Sequence, residues 1–78
     1  MLTTKRTAKH MKLRELVGMR LRFLRKERKF TQERLSEAVG VSDKQIRRWE
    51  SGEDQPTYEH MEQLASSFDV KPRELFPD

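Results

Sequence analysis

The residues best placed to do chemistry in this chain are hydrogen-bonding rather than reactive. Asp43, Lys44, Gln45 and Arg48 lie close together in a stretch of helical character, and positions three or four apart share a helix face. Lys44 or Arg48 could pair with the N7 and O6 acceptors of guanine, and Gln45 with the donor and acceptor of adenine. Asp43 could accept from a cytosine amino group or orient a neighbouring arginine. Arg47 falls at the edge of this face, placed for a phosphate. Covalent or metal chemistry has no comparable set. There is no cysteine, His10 and His60 are far apart, no glycine-rich phosphate loop is present, and the carboxylates cluster on segments expected to be exposed. No catalytic residue, metal site or cofactor is expected.

Helices must position these side chains. Val17, Leu21 and Leu24 have helical spacing and define a first helix that breaks near Lys29. Thr31 is an N-cap for a second helix over about 32–39, with Leu35 and Val39 one turn apart and Gly40 placed to end it left-handed. Ser42 with Gln45 forms a capping box, which starts a third helix over about 43–51 carrying Ile46 and Trp49 inward and ending at Gly52. Thr57 caps a fourth helix with an apolar stripe of Tyr58, Met61, Leu64, Ala65 and Phe68. Pro72 suits the first position of a short fifth helix, whose Leu75 and Phe76 close the core. No strand is expected.

The length of 78 residues suits one small domain with a modest core. The net charge of +4 is unevenly spread. Residues 1–29 hold eleven Lys or Arg against Glu15 and Glu27, a balance of +9, whereas residues 53–78 balance to −5. Such a chain can turn a basic face to a polyanion and an acidic one to solvent. No apolar run is long enough for a signal sequence or a membrane span, so a cytoplasmic protein is expected. Residues 1–10 have little apolar content and read as a flexible basic arm, leaving residues 11–78 as the domain.

Gln32, Leu35, Ser36, Val39, Gly40, Val41, Ile46 and Trp49 form a helix-turn-helix pattern, two short helices meeting at a tight glycine turn. With Arg25 to Lys29, Thr31-Gln32-Glu33, Gly40-Val41-Ser42, Trp49-Glu50-Ser51-Gly52, Pro56-Thr57 and Glu74-Leu75-Phe76 in register, Val17 through Phe76 resembles the lambda-repressor-like, Cro and XRE family of bacterial and phage regulators. The resemblance implies a compact all-α five-helix domain that binds double-stranded DNA and regulates transcription, as a repressor on a pseudo-palindromic operator. It implies that the third helix reads the major groove, that Gln32 braces the DNA backbone and sometimes a base, and that Ser42 touches phosphate. Arg25 lies on the apolar side of the first helix and needs a partner. Glu50 is the natural one, and the resemblance implies the same pairing. Relatives commonly form homodimers through the region here spanning Phe68 to Phe76. A rival reading is an antitoxin-like module that binds a partner protein, with DNA secondary.

Several positions depart from the family pattern. Lys29 and Asp69 replace glycines, and a left-handed Lys29 would cost on the order of 1 kcal/mol. Lys71 stands where a Ser or Thr cap is usual, which leaves the last helix weakly started. Glu53 and Asp54 fill a loop where relatives often carry basic residues for phosphates. Counter-charges would then come from Lys5, Arg6 and Lys9 in the arm. Finally, Leu16, Met19 and Phe23 form a second apolar stripe. Either Met11 and Leu13 fold over it, or a partner or second subunit covers it.

Overall fold

The computed structural model describes residues 11–76, so the N-terminal arm with Lys5, Arg6 and Lys9 lies outside the described residues. The described chain is helical, with no strand among these residues. Four α-helices follow one another as α1 (Leu13–Glu27), α2 (Gln32–Val39), α3 (Asp43–Ser51) and α4 (Tyr58–Phe68). The expected fifth helix is a single 3-10 turn, Pro72–Leu75. A nucleus so short cannot repay the cost of α-helix initiation, and Phe76, which precedes Pro77, is already extended at φ −97° and ψ 142°.

Local chemistry sets each boundary. Thr31, Ser42 and Thr57 cap α2, α3 and α4, each side-chain oxygen accepting from the backbone N–H three residues on. At α1 and at the 3-10 turn the direction reverses. Glu15 reaches back to the Lys12 amide and Glu74 to the Lys71 amide, each at 3.0 Å, so Lys71 does not leave the turn without a cap. All four α-helices end in one geometry, with an N–H bonded to the carbonyl five residues earlier: Phe30 to Arg25, Val41 to Ser36, Glu53 to Arg48 and Val70 to Ala65. The left-handed residue this needs is Gly40 or Gly52 in two cases, but Lys29 (φ 62°) and Asp69 (φ 59°) in the others.

The core gathers Val17, Leu21 and Leu24 of α1, Leu35 and Val39 of α2, Ile46 and Trp49 of α3, Met61, Leu64, Ala65 and Phe68 of α4, and Leu75. Phe30 and Val41 pack on its rim, Phe30 edge-to-face on Phe68 with centroids 6.0 Å apart. Two expected core members are not there. Tyr58, in the first turn of α4, is 69% exposed, and Phe76 is 38% exposed because the extended backbone after the turn carries it outward. Met11 and Leu13 do not cover the second stripe of α1: Leu13 is itself 50% exposed, Met19 56% and Phe23 53%.

α1 crosses α3 at Gly18. A Cβ there would stand 2.3 Å from the Trp49 carbonyl oxygen and 2.7 Å from that of Glu50, so the backbones meet with no side chain between them. This close approach seats α3 against α1, and the burial of Ile46 and Trp49 leaves the polar side of α3 outward.

Candidate nucleic-acid interface

α3 is apolar on one side only. Ile46 and Trp49 are buried, Asp43, Lys44, Arg47 and Ser51 are exposed, and Gln45 and Arg48 are half-buried at the border. Lys44, Arg47, Arg48, Ser51 and Glu53 line a shallow, open depression along this outer side. Its Lys and Arg side chains offer donors at the spacing of one helix face, and nothing apolar competes with them.

The polar residues are bonded to one another in two groups. Asp43 and Arg47 form an exposed pair one turn apart at 3.4 Å. The arginine that Asp43 approaches is thus Arg47, at the edge of the face. The second group centres on Asp54, whose Oδ2 accepts from Arg48 Nε at 2.8 Å and from Gln45 Nε2 at 3.3 Å. Glu53 Oε1 adds a contact to Arg48 Nη1 at 3.4 Å. The hydrogen bond from Arg48, then that from Gln45, holds the Asp54 carboxyl below its ordinary value, and the bond to Asp54 raises Arg48. Asp54 remains ionised through the neutral range, so the arginine keeps its partner.

This bonding corrects one expectation. Ser42 Oγ accepts from the Gln45 amide at 3.0 Å, but the Gln45 side chain turns to Asp54 rather than back to Ser42. Only the forward half of the capping box exists. Ser42 is exposed beside the start of α3, where its hydroxyl hydrogen is still available to a phosphate.

Behind the face lies a buried ionic network. Arg25 donates through Nε and Nη2 to the two carboxylate oxygens of Glu50, and through Nη1 to the Phe30 carbonyl at 2.8 Å. Gln32 Nε2 adds a bond to Glu50 Oε1 at 3.1 Å. The Arg25 and Glu50 side chains are 9% and 5% exposed, and no described buried side-chain polar atom is left unbonded. Arg25, Glu50 and Gln32 thereby join α1, α3 and α2. Gln32 is anchored inward through its amide nitrogen, leaving its amide oxygen and second N–H as the groups that could face a DNA backbone.

Sequence reasoning missed two things. Gly18 carries no signal beyond being a poor helix residue. The arginines of α1 and its C-cap read as a basic face, yet three of them donate to backbone carbonyls of other elements: Arg14 to Gly52 at 2.8 Å, Arg20 to Glu74 and the C-cap Arg28 to Phe68, both at 2.9 Å. With Arg25 they brace the fold, so much of the positive charge near the N-terminus serves packing. Among the described residues, no cluster of His, Asp or Glu could hold a metal ion, and no helix is long and apolar enough to cross a membrane.

Comparison with known proteins agrees with this arrangement. A helix-turn-helix family model matches residues 21–75. The restriction-modification controller protein C.AhdI from Aeromonas hydrophila is 32% identical, with 81% of this chain and 96% of that one aligned at a TM-score of 0.77. The P22 c2 repressor, solved in complex with a synthetic operator, is 36% identical over 78% of this chain and 92% of its own, at a TM-score of 0.74. The clp gene regulator ClgR from Corynebacterium glutamicum is 25% identical over 83% of this chain and 69% of its own, at a TM-score of 0.81. No curated protein matches. The α2–turn–α3 unit, its capped and outward-facing third helix and the family match over most of the chain agree, and the protein belongs to the helix-turn-helix family of lambda-repressor, Cro and XRE type.

Proposed function

We propose that the protein is a sequence-specific double-stranded DNA-binding transcriptional regulator, acting as a repressor, that reads the major groove with α3. The observation that carries this reading is the outer side of α3. Its polar residues face away from the core, into which α3 contributes Ile46 and Trp49, on a helix-turn-helix unit whose relatives include a repressor solved on its operator. Lys44, Gln45 and Arg48 are the base-reading candidates, with Asp43 orienting Arg47, and Arg47, Ser42 and Gln32 are the phosphate candidates. Arg25 and Glu50 act structurally.

The finer parts of the reading extend this proposal. One module touches few base pairs, so a homodimer on a pseudo-palindromic operator is the economical arrangement. The exposed Phe76, at the end of the α4 to 3-10 region, supports a contact there. Lys5, Arg6 and Lys9 would supply phosphate contacts in place of the acidic loop at Glu53 and Asp54. A second reading, partner-protein binding with DNA secondary, draws on the half-exposed Met19 and Phe23 of α1 and on the acidic C-terminal half.

Selection of bound duplexes from a random oligonucleotide pool, repeated with Arg48→Ala, tests the proposal. A symmetric enriched site that relaxes in the variant is the expected result. Failure of the unaltered protein to enrich any site at moderate salt would count against it and for the partner-binding reading.

A further inference from the structure

Asp54 follows the recognition helix in a loop that the sequence marks as unfavourable for DNA, since a carboxylate repels phosphate. Its position is nevertheless closely fixed. The Glu53 and Asp54 amides both donate to the Arg48 carbonyl, at 3.0 and 3.2 Å, and Gly52 takes the left-handed conformation that lets the chain double back over the end of α3. Arg14 grips the Gly52 carbonyl from α1. The carboxylate that this loop delivers meets Gln45 and Arg48, which lie three residues apart on one face of α3.

We propose that Asp54 is a positioning residue for base reading: it holds the Gln45 amide and the Arg48 guanidinium in one arrangement and thereby sets which bases α3 selects. The inference rests on the DNA-reading function proposed above. A carboxylate can only accept, so the Gln45 amide must turn Nε2 toward Asp54 and Oε1 away from it. The amide cannot flip without losing that bond. Its oxygen and its second N–H remain, the pair that matches the N6 and N7 groups of adenine. Arg48 gives Nε to Asp54, and beyond the 3.4 Å contact of Nη1 with Glu53 the remaining Nη–H donors of the guanidinium are left for the O6 and N7 acceptors of guanine. The low-lying Asp54 carboxyl and raised Arg48 guanidinium are consistent with a bond that persists at neutral pH. Asp54 thus exchanges some phosphate attraction for a fixed pattern of donors and acceptors.

Binding-site selection and competition binding with Asp54→Ala, Glu53→Gln, Gln45→Ala and Arg48→Ala test this. Expected for Asp54→Ala is a loss of about tenfold in preference at the base positions that Gln45→Ala and Arg48→Ala also flatten, the size of one good base contact. Glu53→Gln removes a charge and the longer 3.4 Å contact to Arg48 Nη1 but leaves both Asp54 bonds, so it should bind all duplexes more tightly and shift base preferences less than Asp54→Ala does. Asp54→Asn, which keeps the shape but accepts as a neutral group, should fall between, and it carries the test if Asp54→Ala fails to fold. An Asp54 variant that folds, binds all duplexes more tightly and keeps the unaltered preferences would overturn the proposal while leaving the DNA-reading function intact. If the unaltered protein selects no site, that function fails and the proposal falls with it.

Discussion

Gly18 in α1 lies against the Trp49 carbonyl of α3, with no room between them for even one methyl group. Gly18→Ala is therefore expected to destabilise the protein, although alanine is the better helix former by about 1 kcal/mol. Overpacking of this kind costs about 1–3 kcal/mol, and here the clashing atoms are backbone oxygens that cannot rotate away. Urea denaturation of the two proteins decides it. A stabilised variant would show that the helices are not in this contact in solution.

Breaking the Arg25–Glu50 pair from one side should be more severe than removing it altogether. Glu50→Gln leaves the Arg25 guanidinium buried without a counter-charge and should cost about 3–5 kcal/mol, whereas a double replacement by apolar residues of similar volume should cost much less. Chemical denaturation of both variants measures the difference. Equal losses would mean that the charge itself is not what the site must neutralise.

Lys29 holds a left-handed conformation with an exposed side chain, and the Phe30 N–H that closes α1 depends on that turn. Lys29→Gly should relieve up to about 1 kcal/mol of backbone strain, partly offset by the greater freedom of glycine in the unfolded chain. A small rise in thermal midpoint is expected. A fall would show that the Lys29 side chain contributes more than its backbone costs.

The Asp54 carboxyl is held below its unfolded value, so its contribution to ordering Arg48 is fully present above the ordinary carboxylate range. It is lost only as the pH falls through the depressed value. The Arg48 Nε–H resonance, followed by NMR against pH, should stay constant from neutral into the ordinary aspartate range and move below it. Movement within the ordinary range would mean that Asp54 and Arg48 are not bonded in solution.

Much of this fold is legible in the sequence because its boundaries are set by neighbouring residues. Thr31, Ser42 and Thr57 cap the helices they precede, Gly40 and Gly52 end them left-handed, and the apolar spacing from Val17 to Phe68 selects the buried faces. What the sequence hides depends on distant partners. The Gly18 contact and the carbonyls taken by Arg14, Arg20 and Arg28 join residues many positions apart, and Gln45 abandons Ser42 because the returning loop offers it a carboxylate. Tyr58 and Phe76 fit the apolar pattern but lie at element ends, beyond the reach of the core. The helix carrying the candidate base readers was therefore readable, whereas the bonds that orient those side chains required the tertiary structure.

The most direct test of major-groove reading by α3 is the affinity for the selected duplex after single atoms are removed from its bases. Replacing purines by their 7-deaza forms removes the N7 acceptor from the major groove, and replacing guanine by inosine removes the N2 amino group from the minor groove. Loss of about tenfold or more on 7-deaza substitution at the selected purines, abolished in the Arg48→Ala and Gln45→Ala variants and accompanied by little effect of inosine, is the predicted result. Insensitivity to the 7-deaza bases with a strong response to inosine would place recognition in the minor groove and contradict the role given to α3.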